Sequence, residues 1–283
     1  MRAPTAVLVA IACGCGSSAT GGTSDAGPGA DEVSILSLVT VSVSGMFGNE
    51  PPLAGVEVCV DGTEPPNCVK TGEDGRFVLG GLAPNTNVLL VYSKDGFIPM
   101  LQPMVTPRWS TRVLTVGHVR MAPLELWEAP VTDLNAALRA AGRREIKLDP
   151  GLAIVFFGTG ENGNDGSSDH RAVLDPASGD GPFFDLWPEE NLVPEIPAGA
   201  VSAGGVYYNV EPRDDVDDYE LVFTRDGSHC RYGPGAFSGW PPRSGRENAS
   251  RIVTRAGHET WWTVQECPFD PSDAGADEDA AAP

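Results

Sequence analysis

Residues 71–99 read TGEDGRFVLGGLAPNTNVLLVYSKDGFIP and hold the densest strand-and-turn pattern in the chain. An acidic-glycine turn leads into one strand, a proline turn follows, and a second strand precedes the next turn. Asp74-Gly75 and Asp95-Gly96 are turn signals, because glycine adopts the positive φ that tight turns need. The stretch therefore predicts short strands joined by hairpin-type turns.

The residues upstream continue this pattern. LVTVSVSGMF (38–47) alternates apolar and polar residues with period two, and PLAGVEVCVDG (52–62) is a turn that leads into another alternating strand. The whole chain has 283 residues, of which 34 are glycine, 25 are proline and 41% are hydrophobic. This length and composition predict an all-β fold with enough apolar material for two domains.

The order VSVSG, PLAGVEVCV, EDGRFVLGGLAPN and LLVYSKDGFIP resembles the carboxypeptidase regulatory-like domain. The resemblance covers about Leu38 to Pro123, and we assign the domain to residues 35–126. It implies a transthyretin-like β-sandwich that is a non-catalytic module, so no catalytic residue is carried over. Its most specific residues are Asp74, Gly75, Phe77, Leu79, Gly81, Leu82 and Pro84.

The strand and turn LLVYSKDGF (89–97) recur as ELVFTRDGS (220–228). HRAVLD (170–175) stands where the first copy has VEVCVD, and GGVYYNVEP (204–212) stands where it has FVLGGLAP. The same order of parts predicts a second, diverged transthyretin/Ig-like β-sandwich over residues 146–269. The alternative is a coincidental likeness of two strand-turn segments.

The linker between the two predicted sandwiches, residues 127–145, contains TDLNAALRAAG (132–142). Two leucines four residues apart, Thr132 or Asp133 as an N-cap and Gly142 as a terminator predict one short helix, packed where the domains join.

The N-terminus has the layout of a secretory signal: Arg2, a short apolar run and small residues, over residues 1–12. Cys13, or alternatively Cys15, then resembles the acylated cysteine of bacterial lipoproteins, followed by a flexible tether over residues 13–34. Neither cysteine precedes aspartate, so the resemblance implies an outer-membrane anchor in the cell envelope. An ordinary signal peptide with incidental cysteines is the alternative.

The net charge of the chain is −20, which repels nucleic acid and anionic lipid headgroups. Residues 270–283, DPSDAGADEDAAAP, form an acidic tail of small residues that predicts disorder. The lipid anchor is thus the predicted membrane contact, and nucleic acid is excluded as a partner.

The remaining cysteines, Cys59, Cys68, Cys230 and Cys267, are an even set in an exported protein, which favours disulfides. One bridge per repeat, Cys59–Cys68 and Cys230–Cys267, is the simplest of three pairings. A metal site is the weaker alternative, because the cysteines and the four histidines lack ligand spacing.

Two acidic loops contain the residue types that hold Ca²⁺. The candidate ligands are Glu161, Asp165 and Asp169 in the first loop and Asp214, Asp215, Asp217 and Asp218 in the second. The first loop does not match the D-x-[DN]-x-[DN]-G spacing of a calcium loop. Solvated acidic turns are the alternative for both loops, and no cofactor is assigned.

Trp240, Trp261 and Trp262 form a candidate aromatic platform for sugars. Neighbouring residues in a strand point to opposite faces, so one of Trp261 and Trp262 is expected in the core and the other on the surface. Packing in the core or between domains is the alternative for all three.

Motifs of hydrolases, nucleotide-binding enzymes and metalloproteases do not occur in the chain. We therefore predict a non-enzymatic surface lipoprotein with a structural, adhesive or ligand-presenting role towards a protein or glycan. The alternatives are a Ca²⁺-dependent or carbohydrate-binding lipoprotein and, less favoured, an accessory to a cell-envelope hydrolase.

Overall fold

The computed structural model describes residues 32–41, 50–106, 113–126, 129–159, 170–187, 191–197, 201–213, 218–225, 239–246 and 248–264. We call residues 32–126 the N-terminal half and residues 129–264 the C-terminal half. The N-terminal half contains β1 (Val33–Val41), β2 (Glu57–Val60), β3 (Asn67–Lys70), β4 (Arg76–Leu82), β5 (Asn87–Ser93), β6 (Met100–Val105) and β7 (Val113–Met121), and ends in a 3₁₀ turn (Leu124–Leu126).

The C-terminal half begins with the helix α1 (Ala129–Ala140) and continues in strands. These are β8 (Ala153–Thr159), β9 (His170–Asp175), β10 (Asp180–Trp187), β11 (Asn191–Val193), β12 (Val201–Val210), β13 (Tyr219–Arg225), β14 (Ala249–Ile252) and β15 (Glu259–Val264). The predicted all-β sandwich class is confirmed.

The described strands form three sheets, with the orders β4-β1-β7, β11-β10-β12-β8-β15-β6-β5-β2-β3 and β14-β13-β9. Each half has two sheet layers around a core of its own. The N-terminal core includes Ile35 and Phe77 from one layer and Leu90 from the other. The C-terminal core includes Val155 and Leu221 from its two layers.

The two halves repeat the same pairing order. β1 pairs antiparallel with β4 and parallel with β7, as β8 pairs antiparallel with β12 and parallel with β15. In the other layer β5 lies between β2 and β6, as β13 lies between β9 and β14, and all four pairings are antiparallel.

The register between the two strands is also the same in both halves, for β2 with β5 and for β9 with β13. Val58 pairs with Tyr92 in β2 and β5, and the residues aligned with them by sequence, Ala172 and Phe223, pair in β9 and β13. The sequence alignment of these segments therefore corresponds to equivalent positions in the fold.

The halves differ beside β2 and β9. β3 pairs with the outer edge of β2, whereas the segment after β9 forms β10, which pairs with β12 and β11. In the described part of the chain no strand covers β9; instead the hydroxyl of Tyr207 donates to the carbonyl oxygen of Ala172 at 2.7 Å. A buried side chain thus satisfies a strand edge in the half that lacks a counterpart of β3.

Helix α1 begins at Ala129, so Thr132 and Asp133 lie inside it and the prediction that either caps it is wrong. Its end agrees with the prediction: Gly142 has a φ of 67°, and the N–H of Arg143 donates to the carbonyl of Leu138 at 2.8 Å. The helix packs on the C-terminal half, where it buries Val131, Leu134 and Leu138 against residues such as Ile154, Val206 and Tyr208. Among the described residues, no helix is long and apolar enough to cross a membrane.

Candidate functional site at the junction of the two halves

The two halves are joined by main-chain pairing between β6 and β15. Glu259 pairs with Met100 and Thr260 with Leu101 in a short parallel ladder, and the N–H of Glu259 donates to the carbonyl of Pro99 at 2.9 Å. Because β15 also pairs with β8, this ladder makes one nine-stranded sheet out of a sheet from each half. We call this ladder and the side chains that cover it the junction.

Trp240 covers one face of the junction. It is 7% exposed and clusters with Leu89 and Leu101 of the N-terminal half and Val253 of the C-terminal half. Its indole N–H donates to the carbonyl of Val88 at 3.0 Å. Trp240 is therefore held by both halves, and the predicted role as an exposed platform for sugars is wrong for this residue, because its ring is buried.

The backbone of the C-terminal half fixes Trp240 from the other side. Trp240 and Arg251 exchange main-chain hydrogen bonds of 3.1 and 2.8 Å, and the Arg251 guanidinium lies 5.4 Å from the centre of the indole ring. A cation over an indole face is favourable when it is shielded from water. The Arg251 side chain is 13% exposed, so this contact adds to the hold on Trp240.

Ion pairing at the rim of the junction is weak by comparison. Arg255 of the C-terminal half pairs with Asp61 of the N-terminal half, and both side chains are more than a third exposed. Exposed pairs of this kind contribute about 0–1 kcal/mol. The ladder and the buried apolar contacts therefore dominate the junction.

Glu259 places a carboxyl group inside the junction. It is 5% exposed, and burial raises its pKa from the ordinary 4.5 to about 8. In the register of β15, Glu259 lies between Met100 of β6 and Ile154 of β8 and shares a face with Trp261. Burial therefore favours the neutral acid at this position. Sequence reasoning missed it, although an acidic residue two positions before a tryptophan in a strand signals a shared face.

Asp218 has a different role from the predicted Ca²⁺ ligation. Its side chain is 2% exposed, and one carboxylate oxygen lies 3.1 Å from Arg251 and 3.5 Å from Arg243. Two guanidinium groups neutralise this carboxylate, so the prediction of Asp218 as a cation ligand is corrected. In the part of the chain that the structure describes, no group of three or more His, Cys, Asp or Glu side chains could hold a metal ion.

The other predicted site residues fall into two groups. Cys59 and Cys68 form the predicted disulfide across β2 and β3, with their Cα atoms 4.1 Å apart. Trp261 is partly buried and stacks on Phe156 with ring centroids 5.6 Å apart, and Trp262 lies in β15. Outside the described residues lie Cys13, Cys15, Cys230, Cys267, Glu161, Asp165, Asp169, Asp214, Asp215 and Asp217.

No family model and no curated protein matches the chain, so the likeness to the carboxypeptidase regulatory-like domain rests on the residue pattern. One similar solved structure is a type II cohesin–X-dockerin complex from Acetivibrio cellulolyticus (12% identity, 32% of this chain and 58% of that chain, TM-score 0.25). A second is 3-chlorocatechol 1,2-dioxygenase from Rhodococcus opacus 1CP (11%, 34% and 61%, 0.23).

A third is the shaft pilin SpaA from Lactobacillus rhamnosus GG (8% identity, 85% of this chain and 100% of that chain, TM-score 0.22). This chain spans less than two thirds of the first two structures. The three proteins include an enzyme and a pilin, and at these TM-scores they carry no argument about what this chain does.

Proposed function

We propose that the protein is a non-catalytic lipoprotein of the cell surface, in which two joined β-sandwich domains present loops to a protein or glycan partner. The domains correspond to residues 35–126 and 146–269, with 127–145 as the linker. The observation that carries the proposal is the junction, because a continuous sheet and a shared buried tryptophan suit a stiff carrier.

A stiff junction favours presentation, since two modules held in a fixed orientation do not lose interdomain freedom when a partner binds. Two domains connected only by a linker are expected to move relative to one another. Here the linker is supplemented by main-chain pairing through Met100 and Leu101 and by the buried Trp240.

The ionisable groups with strongly raised pKa support a structural role. Burial raises the pKa of Tyr92, whose hydroxyl lies 2.6 Å from Gln102, and raises the pKa of Tyr207 to about 12. Both tyrosines belong to the cores, as Glu259 belongs to the junction. Catalytic groups with shifted pKa values lie in clefts that substrates reach, whereas these three residues lie in the cores and in the junction.

The lipid anchor is tested by metabolic labelling with a palmitate analogue in cells that express the full chain. We expect the wild type to be labelled, Cys13→Ser to lose the label and Cys15→Ser to keep it. Loss of the label only in Cys15→Ser moves the anchor to that residue. An unlabelled mature wild type overturns the anchor.

The presenting role is tested with the intact anchored protein on cells, on a glycan array and by cross-linking to envelope proteins. We expect saturable binding of one ligand class, which is recovered chemically unchanged after incubation. Ligand that is converted to a product contradicts the non-catalytic role, and the absence of any saturable ligand contradicts presentation.

A further inference from the structure

Glu259 is an ionisable residue at a buried position where an apolar residue is expected. Its neighbours across the strand are Met100 and Ile154, and the strand it belongs to is the one that links the halves. A buried carboxylate without a cationic partner is unfavourable, whereas the neutral acid is tolerated. The charge state of this group therefore bears directly on whether β6 and β15 stay together.

The two strands that pair with β15 contain no compensating charge. Among the described residues β15 pairs with β6 and β8, whose sequences, MLQPMV and AIVFFGT, contain no Asp, Glu, Lys, Arg or His. Ile154, the neighbour of Glu259 on β8, packs against helix α1, whose charged residues Asp133 and Arg139 are exposed. The next strand, β5 (NVLLVYS), adds one titratable group, the buried Tyr92, which is neutral and bonded to Gln102.

The nearest charged groups along the chain are at the rim. Arg255 is paired with Asp61, and the ring Nδ1 of His258 lies 2.8 Å from the carbonyl of Ala256. Arg255 and His258 are thus engaged at the exposed end of the strand.

The ladder that Glu259 sits in is short. Two residue pairs connect β6 and β15, and one of them is the pair of Glu259 with Met100. By contrast, β15 pairs with β8 over six residues, from Glu259 to Val264. A charge on Glu259 therefore disturbs one of the two residue pairs between β15 and β6 but only one of the six between β15 and β8. The pairing with β6 is weakened more.

We propose that Glu259 is a proton-operated latch: its neutral carboxyl keeps the two halves joined, and loss of the proton opens the pairing of β6 with β15 while each half stays folded. The junction is tightest in acid and loosens towards neutral and alkaline pH. The latch concerns how the halves are held together and does not depend on which partner the loops bind.

The direction and range follow from proton linkage. In the open junction the carboxyl faces water and titrates near its ordinary pKa of 4.5, and in the closed junction it titrates at about 8. The closed form binds the proton more tightly, so the opening constant rises about tenfold per pH unit between these values. Below and above this range it is constant.

The experiment is hydrogen exchange of the mature full chain by NMR from pH 5 to pH 9, corrected for intrinsic exchange. The junction probes are the amide of Glu259, bonded to Pro99, and the indole N–H of Trp240, bonded to Val88. The core probes are the amide of Val39, bonded to Gly75, and the amide of Phe223, bonded to Asn248.

We expect the opening constant at the two junction probes to rise about tenfold per pH unit up to about pH 8 and to exceed that at the core probes at every pH, because the core probes exchange only when a half unfolds. Glu259→Gln, which mimics the neutral acid, should make the junction probes independent of pH. Glu57→Gln, at an exposed glutamate in β2, should keep the wild-type profile.

An opening constant of the wild-type junction that does not change with pH overturns the proposal, whatever the variants show. So do opening constants that are equal at core and junction probes, because the junction would then open only when the whole fold unfolds. A Glu259→Gln profile identical to that of the wild type also overturns it.

Discussion

Gly81 and Asn209 occupy the same position in the two halves. Each precedes the residue where the ladder with the neighbouring strand is irregular, and each has a positive φ, 74° and 54°. Val33 pairs with Leu82 as Ala153 pairs with Val210, so the irregularity falls in equivalent places. A left-handed residue is part of the shared design of this strand, and glycine and asparagine are the residues that adopt it readily.

Gly81→Asn, which copies the other half, should therefore change the free energy of unfolding by less than about 1 kcal/mol. Gly81→Val should cost about 2 kcal/mol, because a β-branched residue resists positive φ. Space is not the cause, since the nearest atom to an added Cβ at Gly81 is 3.8 Å away. Urea unfolding of the two variants checks this. Equal losses would contradict a conformational cause.

Trp240 should contribute more to the junction than the ion pair of Arg255 with Asp61. Trp240→Ala removes a buried indole and should cost about 3–5 kcal/mol. Trp240→Phe keeps most of the apolar contact but leaves the Val88 carbonyl unpaired, and should cost about 1–3 kcal/mol. Thermal unfolding measures both. Arg255→Ala is the matched control, and a loss from it as large as that from Trp240→Ala would contradict this ranking.

Asp218 should stabilise the C-terminal half through its two arginines. Asp218→Asn leaves Arg251 and Arg243 without their buried anion and should cost about 3 kcal/mol in free energy of unfolding. The loss should be the same with Ca²⁺ and with EDTA. If EDTA lowers the melting temperature of the wild type to that of Asp218→Asn, the carboxylate binds a cation after all.

The stability of the whole protein should depend on pH through Glu259. Its pKa is raised on folding from 4.5 to about 8, so the folded state binds the proton more tightly than the unfolded state. The contribution is most favourable below pH 4.5, declines as the pH rises to about 8 and is constant above.

At pH 7 Glu259→Gln should therefore raise the free energy of unfolding by about 3 kcal/mol. At pH 4.5 the gain should almost vanish. Chemical denaturation at the two pH values measures the difference, and a gain that is equal at both would show that the carboxyl is not desolvated in the fold.

The strands and their local partners could be predicted from the sequence, because each strand shows an alternation of apolar and polar residues and is bounded by turn residues. The alignment of LLVYSKDGF with ELVFTRDGS, for example, predicts equivalent strands, and Tyr92 and Phe223 have equivalent partners. The Cys59–Cys68 bridge followed in the same way from a hairpin between two strands.

The junction could not be predicted from the sequence, because it pairs residues that are more than 150 positions apart. Each of the two strands has a regular pattern of its own, which does not indicate its partner. Met100 and Glu259 each belong to a regular strand, and nothing local indicates that these two strands are neighbours. Trp240 lies outside the strands, and its sequence context does not indicate which half it packs against. The buried position of Asp218 was hidden for a related reason, since its arginines come from a later segment.

The joined sheet is tested most directly by residual dipolar couplings of the mature chain, measured in one alignment medium at pH 5.5. We expect that a single alignment tensor fits the amides of β1, β4 and β5 together with those of β8, β12 and β13. Two tensors of different magnitude or orientation would show that the halves move independently, and would contradict the joined sheet on which the proposed function rests.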